Sequence, residues 1–285
     1  MSASPADGDS PQGKAEATYN AAADYYDSPA NTFWSRFGQR TIERLPLQPG
    51  NRVLDVCCGA GASAIPAARA VRPGGTVVGV DLSEKLLQLA RKKAAAEEIS
   101  NVDFRLGDML DLREAEASFD AVVCVFGIFF VPDIPQAVRA LWRLVRPGGM
   151  LAITTWGPQF LEPGSTAFWN SIRDVRPDLY RGFNPWDRIC EPRTVLAALR
   201  EAGVENAQAI AESGEHPIAS PDAWWCAVLG SGYRGTLEQL TPADQERVRL
   251  ANLDFIERNG IGSVAANVVY ATAVRSRDGR GVVLE

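Results

Sequence analysis

Three acidic side chains recur where apolar runs give way to turns. Asp55 lies within the run Val53-Leu54-Asp55-Val56, four residues ahead of Gly59. Gly59 and Gly61, separated by one alanine, permit a sharp turn and a close backbone approach to a bound molecule. Asp81 ends the run Thr76-Val77-Val78-Gly79-Val80, twenty residues after Gly61. That is the spacing at which an acid meets ribose hydroxyls in a strand–turn–helix crossover, where a carboxylate accepts both hydroxyl protons. Asp108, in Gly107-Asp108-Met109, closes a third run. For proton transfer the sequence offers one histidine, His216, as the candidate general base; Asp133 and Glu162 are further candidates.

These groups need a scaffold, and the chain supplies one by alternation. Apolar runs at 53–56, 76–80, 102–106, 119–126 and 150–156 read as buried strands. Helical patterns separate several of them. One spans Ala62–Val71 with Pro66 in its first turn. A second is capped by Ser83 and buries Leu86, Leu87, Leu89 and Ala90. A third runs from Ile134 to Val145 and stops at Arg146-Pro147-Gly148-Gly149. This is a doubly wound α/β fold with a mostly parallel sheet. Ahead of it, two helices break at Asp27-Ser28-Pro29 and form an N-terminal arm over 14–48, preceded by a disordered tail over 1–13. Periodicity fails over 157–190, a variable aromatic-rich segment expected to meet substrate. Residues 191–285 complete the sheet, with a helix at Pro192–Ala202, a strand at Val204–Ala211, a helical cap insertion over 221–261 and a last strand at Ala266–Val274.

A hydrophobic share of 46% against 22% charged residues is enough for a full globular core. The net charge of −6 argues against a nucleic-acid partner. No apolar run reaches about 18 residues, so no membrane span is expected. Five cysteines without a Cys-x-x-Cys pair, and a single histidine, argue against a metal site. The chain reads as cytoplasmic, with its thiols reduced.

A glycine-turn crossover with an acid after the second strand suits two cofactors. In nicotinamide dinucleotides a pyrophosphate sits on the helix start. S-adenosylmethionine carries an ammonium and a sulfonium and no phosphate. Asp55 would repel the first and attract the second. The ordered set Asp55-Val56-Cys57-Cys58-Gly59-Ala60-Gly61, Asp81, Gly107-Asp108 and Arg146-Pro147-Gly148-Gly149 resembles class I S-adenosylmethionine-dependent methyltransferases. Within them the nearest group is the ubiquinone and menaquinone C-methyltransferases, on the double cysteine and Phe126-Gly127-Ile128-Phe129-Phe130-Val131-Pro132-Asp133. The resemblance implies a Rossmann-like sheet of seven strands whose final strand is antiparallel. It implies Asp55, Cys57, Gly59 and Gly61 at the methionine end, with Cys57 where the family has glycine. It implies Asp81 on the ribose, Leu82 and Met109 against the adenine, Asp108 on its amino group, and Phe126 and Gly127 along the cofactor. In the quinone enzymes an Arg-Asn pair replaces Phe129-Phe130, so a different, more apolar acceptor is expected.

The resulting expectation is methyl transfer to a small aromatic or lipophilic metabolite, on oxygen or carbon ahead of nitrogen. Tyr26, Phe130, Trp156, Trp186 and Trp224 are the candidate acceptor-lining residues; equally, such aromatics serve as packing. A NAD(P)-dependent oxidoreductase and a non-catalytic S-adenosylmethionine-binding protein are the alternatives. Composition leaves the oligomeric state open.

Overall fold

Alternating side chains along each strand split the interior into two cores. In the first strand, Val53 faces one side with Val77, Ala121 and Val123, while Leu54 and Val56 face the other with Val78, Val122 and Cys124. Helices must cover both faces, and they do. The computed structural model describes residues 10–277.

The elements follow in chain order: α1 (Pro11–Tyr26), α2 (Phe33–Glu43), β1 (Arg52–Val56), α3 (Ala64–Ala70), β2 (Thr76–Asp81), α4 (Glu84–Ala96), β3 (Val102–Leu106), β4 (Phe119–Val125), α5 (Ile134–Leu144) and β5 (Val145–Trp156). After them come α6 (Gly164–Val175), α7 (Pro192–Glu201), β6 (Ala207–Glu212), β7 (Glu215–Pro217), α8 (Pro221–Leu229), α9 (Arg234–Leu237), α10 (Pro242–Arg258), β8 (Ser263–Ala265) and β9 (Val268–Val274). The main sheet has seven strands in the order β3-β2-β1-β4-β5-β9-β6. Strands β1 to β5 are parallel to one another, and β9 runs antiparallel to both β5 and β6. The doubly wound sheet with a reversed last strand is therefore present. Among the described residues, no helix is long and apolar enough to cross a membrane.

Four expectations need correction. The tail expected over 1–13 gives way to helix at Pro11, because Ser10 accepts the Gly13 amide and caps α1; residues 1–9 lie outside the described residues. Residues 157–190 contain a twelve-residue helix, α6. His216 lies in β7, which pairs with β8 in a separate two-stranded sheet that the sequence did not signal. The turn Arg146-Pro147-Gly148-Gly149 belongs to β5 itself, as the bulge between Val145, paired with Phe119, and Met150, paired with Ala121.

Candidate active site

The carboxyl ends of β1, β2, β3 and β4 open onto one cavity of about 800 Å³, mouth included. Its wall holds Cys57 and Gly59 after β1, Asp81, Leu82 and Ser83 after β2, Gly107, Asp108 and Met109 after β3, and Phe126 and Gly127 after β4. These belong to four separate crossovers, and the sheet alone brings them together.

Asp81 fixes the floor. One of its oxygens accepts the Gly59 amide and the other the Ser83 amide, each at 2.8 Å. One side chain thus sets both the glycine turn and the start of α4. Burial raises its pKa, against three backbone amides that favour the charged form. Asp108 accepts the Leu110 amide at 2.9 Å and is only half-buried.

Two neighbours of the cavity adopt left-handed backbone without being glycine. Cys57 has φ +58° and Phe126 φ +57°. Such residues are uncommon and gather at functional sites. Left-handed Phe126 lays its ring flat on Trp156, with centroids 3.4 Å apart, and Trp156 stacks in turn on Phe160 at 3.6 Å.

Two expected cofactor residues do not reach the cavity. Gly61, at φ +81°, packs against Ile65 and Ala90 and turns the chain into α3. Asp55 is fully buried beneath the turn. Its Oδ2 accepts the Ser63 hydroxyl at 2.7 Å, and its Oδ1 has no partner. Burial, with a smaller contribution from the nearby Asp81 charge, pushes the Asp55 carboxyl up to about 7. A carboxyl raised in the folded chain favours folding in its neutral form. That advantage is complete below about pH 4 and is lost as pH rises through 7. Between pH 6 and 8 this one group should cost about 1.4 kcal/mol, or about 3 °C in Tm. Asp55→Asn should remove that decline. Parallel Tm–pH curves for the two proteins in thermal melts without ligand would contradict the assignment.

The arm closes the cavity from above. Pro11, Gln12, Ala15, Glu16 and Tyr19 of α1 line it, with Tyr26 and Trp34. Asn20 anchors α1 to α4: its Oδ1 accepts the Ser83 hydroxyl at 2.8 Å and the Lys85 amide at 3.3 Å. A Lys93–Asp27 pair at 2.9 Å adds a second tie. Glu16 was not singled out from the sequence, although positions 12, 15, 16 and 19 fall on one helical stripe.

Beside the cavity lies a smaller chamber of about 290 Å³, mouth included, walled by Tyr19, Trp34, Phe129, Phe130, Trp156, Phe160, Leu161, Trp186 and Tyr233, with Ser231 and Gly232. It shares Tyr19, Trp34 and Phe130 with the cofactor cavity. Phe130, Trp156 and Trp186, expected to meet the acceptor, all line it. Tyr26 instead stands on the cofactor side, stacked on Trp34 at 4.8 Å.

Trp224 and His216 lie elsewhere. Trp224 is wholly buried between α6 and α10, its indole N–H donating to Asn252 at 3.0 Å, while Asn252 donates to Ser171. It is a core residue because a polar partner waits for its N–H inside. His216 is buried edge-on to Phe33 and lines neither the cavity nor the chamber. Its Nε2 sits 2.6 Å from the Ala30 carbonyl, so Nε2 carries the proton. Burial lowers its pKa, and Arg36 lowers it further. Its work is to join β7 to the arm. Asp133 caps α5 through the Gln136 amide. Glu162 accepts the Thr166 amide and faces a separate polar groove with Asp187.

The donor set suits S-adenosylmethionine. Carboxylates on the wall can accept from ribose and from an amino group, Leu82, Met109 and Phe126 offer apolar faces to an adenine, and Glu16 adds negative charge. A sheet in this strand order with acids at its carboxyl edge and a glycine turn after β1 defines a nucleoside-binding transferase crossover. The chain belongs to the S-adenosylmethionine-dependent methyltransferases. A family described as "Methyltransferase domain" matches residues 53–149. Nocamycin O-methyltransferase of Saccharothrix syringae is 35% identical over 241 residues, which cover 79% of this chain and 84% of the relative. Demethylmenaquinone methyltransferase of Halalkalibacterium halodurans is 41% identical over 137 residues, covering 48% of this chain and 56% of that one. Toward such quinone enzymes, therefore, the chain spans little more than half of their length. The crystal structure of YcgJ from Bacillus subtilis shares the fold, with a TM-score of 0.57, 20% identity, and coverage of 85% of this chain and 99% of that one.

Proposed function

We propose that this enzyme methylates a small aromatic or lipophilic metabolite, on oxygen or carbon. The observation that carries the reading is the aromatic chamber that adjoins the cofactor cavity, with Tyr19, Trp34 and Phe130 in the wall of both. S-adenosylmethionine, when bound, supplies a methyl group already activated on a sulfonium. The chain then has to hold the acceptor in line with it and keep water out. Trp156, flat between Phe126 and Phe160, gives a rigid apolar wall for the first task. α1 and the Phe129-Phe130 turn cover the second. An aliphatic amine acceptor is protonated at neutral pH and would call for a carboxylate in the chamber; the wall has none. The two relatives act, by name, as an O-methyltransferase and on demethylmenaquinone.

Incubation of the purified chain with methyl-labelled S-adenosylmethionine and a panel of phenols, enols, quinols and amines tests this. Label is expected in an apolar oxygen or carbon acceptor, and absence of label from every class contradicts it. In the same assay His216→Gln should keep kcat within about threefold, since the imidazole faces away from both spaces; a fall of about 10²-fold or more would restore it as the base.

A further inference from the structure

A third space meets the first two at Tyr19 and Phe130. It is an open groove of about 2110 Å³, mouth included, between α1, the Phe129–Pro132 turn, the 181–188 segment and α9. Its exposed aromatic is Phe183. Its charge is lopsided. The side chains of Lys14, on α1, and Arg181, on the 181–188 segment, have no carboxylate or hydrogen-bond partner among the described residues. Arg188 donates only to carbonyl oxygens, those of Pro185, Phe129, Val131 and Pro132, so its charge is uncompensated. The one acid, Glu238, is held by Arg234 at 2.6 Å. This positive entrance stands on a chain whose net charge is −6.

The inner chamber is the complement. Its ionisable side chains are the two phenols Tyr19 and Tyr233, and burial raises both above their ordinary pKa, so neither is a base at neutral pH. Glu16, Asp81 and Asp108 line the cofactor cavity and not the chamber. A neutral phenol or alcohol would arrive there with a proton and find no group to take it.

We propose that the acceptor is an acidic apolar molecule that enters already ionised at oxygen, as an enolate, a low-pKa phenolate or a carboxylate, and that Lys14 and Arg181 select it at the groove mouth. The inference rests on the methyl-transfer reading above and narrows its substrate class. The step balances without a base. An oxygen lone pair forms the new O–CH3 bond, the methyl–sulfur bond breaks, and its electron pair stays on sulfur, cancelling the sulfonium charge. The acceptor anion loses its charge in the same event and no proton is left over.

Four probes with one decyl chain each test this with the full chain at pH 7.5: a hydroxycoumarin enol, a benzoic acid, a phenol and an aniline. An ionised probe should show a kcat/KM about tenfold or more above the phenol and the aniline, and the two acidic arms separate an enol acceptor from a carboxylate. The double variant Lys14→Gln/Arg181→Gln should raise KM for the ionised probe about tenfold, leave kcat within about threefold, and leave KM for the neutral probes unchanged. Faster turnover of the neutral probes overturns the inference and leaves methyl transfer standing. So does an unchanged KM for the ionised probe in a double variant with wild-type Tm. Cofactor binding with no transfer to any probe sinks both readings.

Discussion

Asp81→Ala should weaken S-adenosylmethionine binding by about 10- to 10²-fold and lower stability by about 2–6 kcal/mol. Two losses add. The carboxylate holds the Gly59 and Ser83 amides at 2.8 Å, and alanine leaves both donors unpaired at the floor of the site, at about 1–3 kcal/mol each. Its remaining lone pairs face the cavity, where ribose hydroxyls would make charge-assisted bonds worth about 1.5–3 kcal/mol. Asparagine is no gentle substitute. It matches carboxylate shape, yet its NH2 group must point at one of the two amide donors, so Asp81→Asn should lose nearly as much affinity as alanine. Calorimetry gives the affinity and thermal unfolding the stability. If Tm drops while affinity holds, Asp81 is a scaffold for the turn only, and the ribose reading fails.

The Asp81 argument was available from sequence because its evidence is local: an apolar run, an acid at its end, and a fixed distance from Gly61. The same holds for β1 to β4 and for the capping Ser83, which accepts the Leu86 amide as its position requires. What failed was information that depends on partners far along the chain. α6 buries Phe168, Trp169 and Ile172 on one face and leaves Thr166, Asn170, Arg173 and Asp174 exposed on the other, so its helical period was present in the sequence and was masked by the irregular aromatic-rich stretches on either side. β7 and β8 are three residues each, too short for a period of two to show. Trp224 looked like a pocket residue because nothing within its own segment tells that Asn252 will receive its N–H. His216 drew attention as the only histidine, yet the Ala30 carbonyl that fixes it lies in the arm, 186 residues earlier. Asp55 was placed at the ligand because acids attract cations. The structure puts it one layer lower, where the Ser63 hydroxyl, eight residues on, takes one oxygen.

Gly127→Ala should cost about 2–3 kcal/mol of stability and more than about tenfold in cofactor affinity, and Cys57→Gly should restore most of both. The reason is a single shared space. Gly127 has φ −111°, which alanine adopts freely, so backbone strain is not at issue. A methyl group there would lie 2.6 Å from the Cys57 Sγ and 3.1 Å from the Cys124 Sγ, inside van der Waals contact. Cys57 cannot yield easily, because its backbone is held at φ +58° by the turn and its sulfur rests 3.7 Å from Met109 Sδ on the cavity wall. Both residues line the cofactor cavity, so a shift of either is felt there. Cysteine at 57 and glycine at 127 are therefore one choice made twice. Cys57→Gly alone removes a left-handed side chain that costs about 1–2 kcal/mol and loses a comparable amount of buried contact and chain entropy, so it should come out within about 1 kcal/mol of wild type. The double variant should then recover about 2 kcal/mol relative to the sum of the two single changes. Denaturant melts give the stability arm of that cycle and calorimetry with S-adenosylmethionine the affinity arm. Strict additivity in both would mean that the Gly127 methyl clashes with something other than the Cys57 side chain, and that the cysteine in the turn and the glycine facing it arose independently.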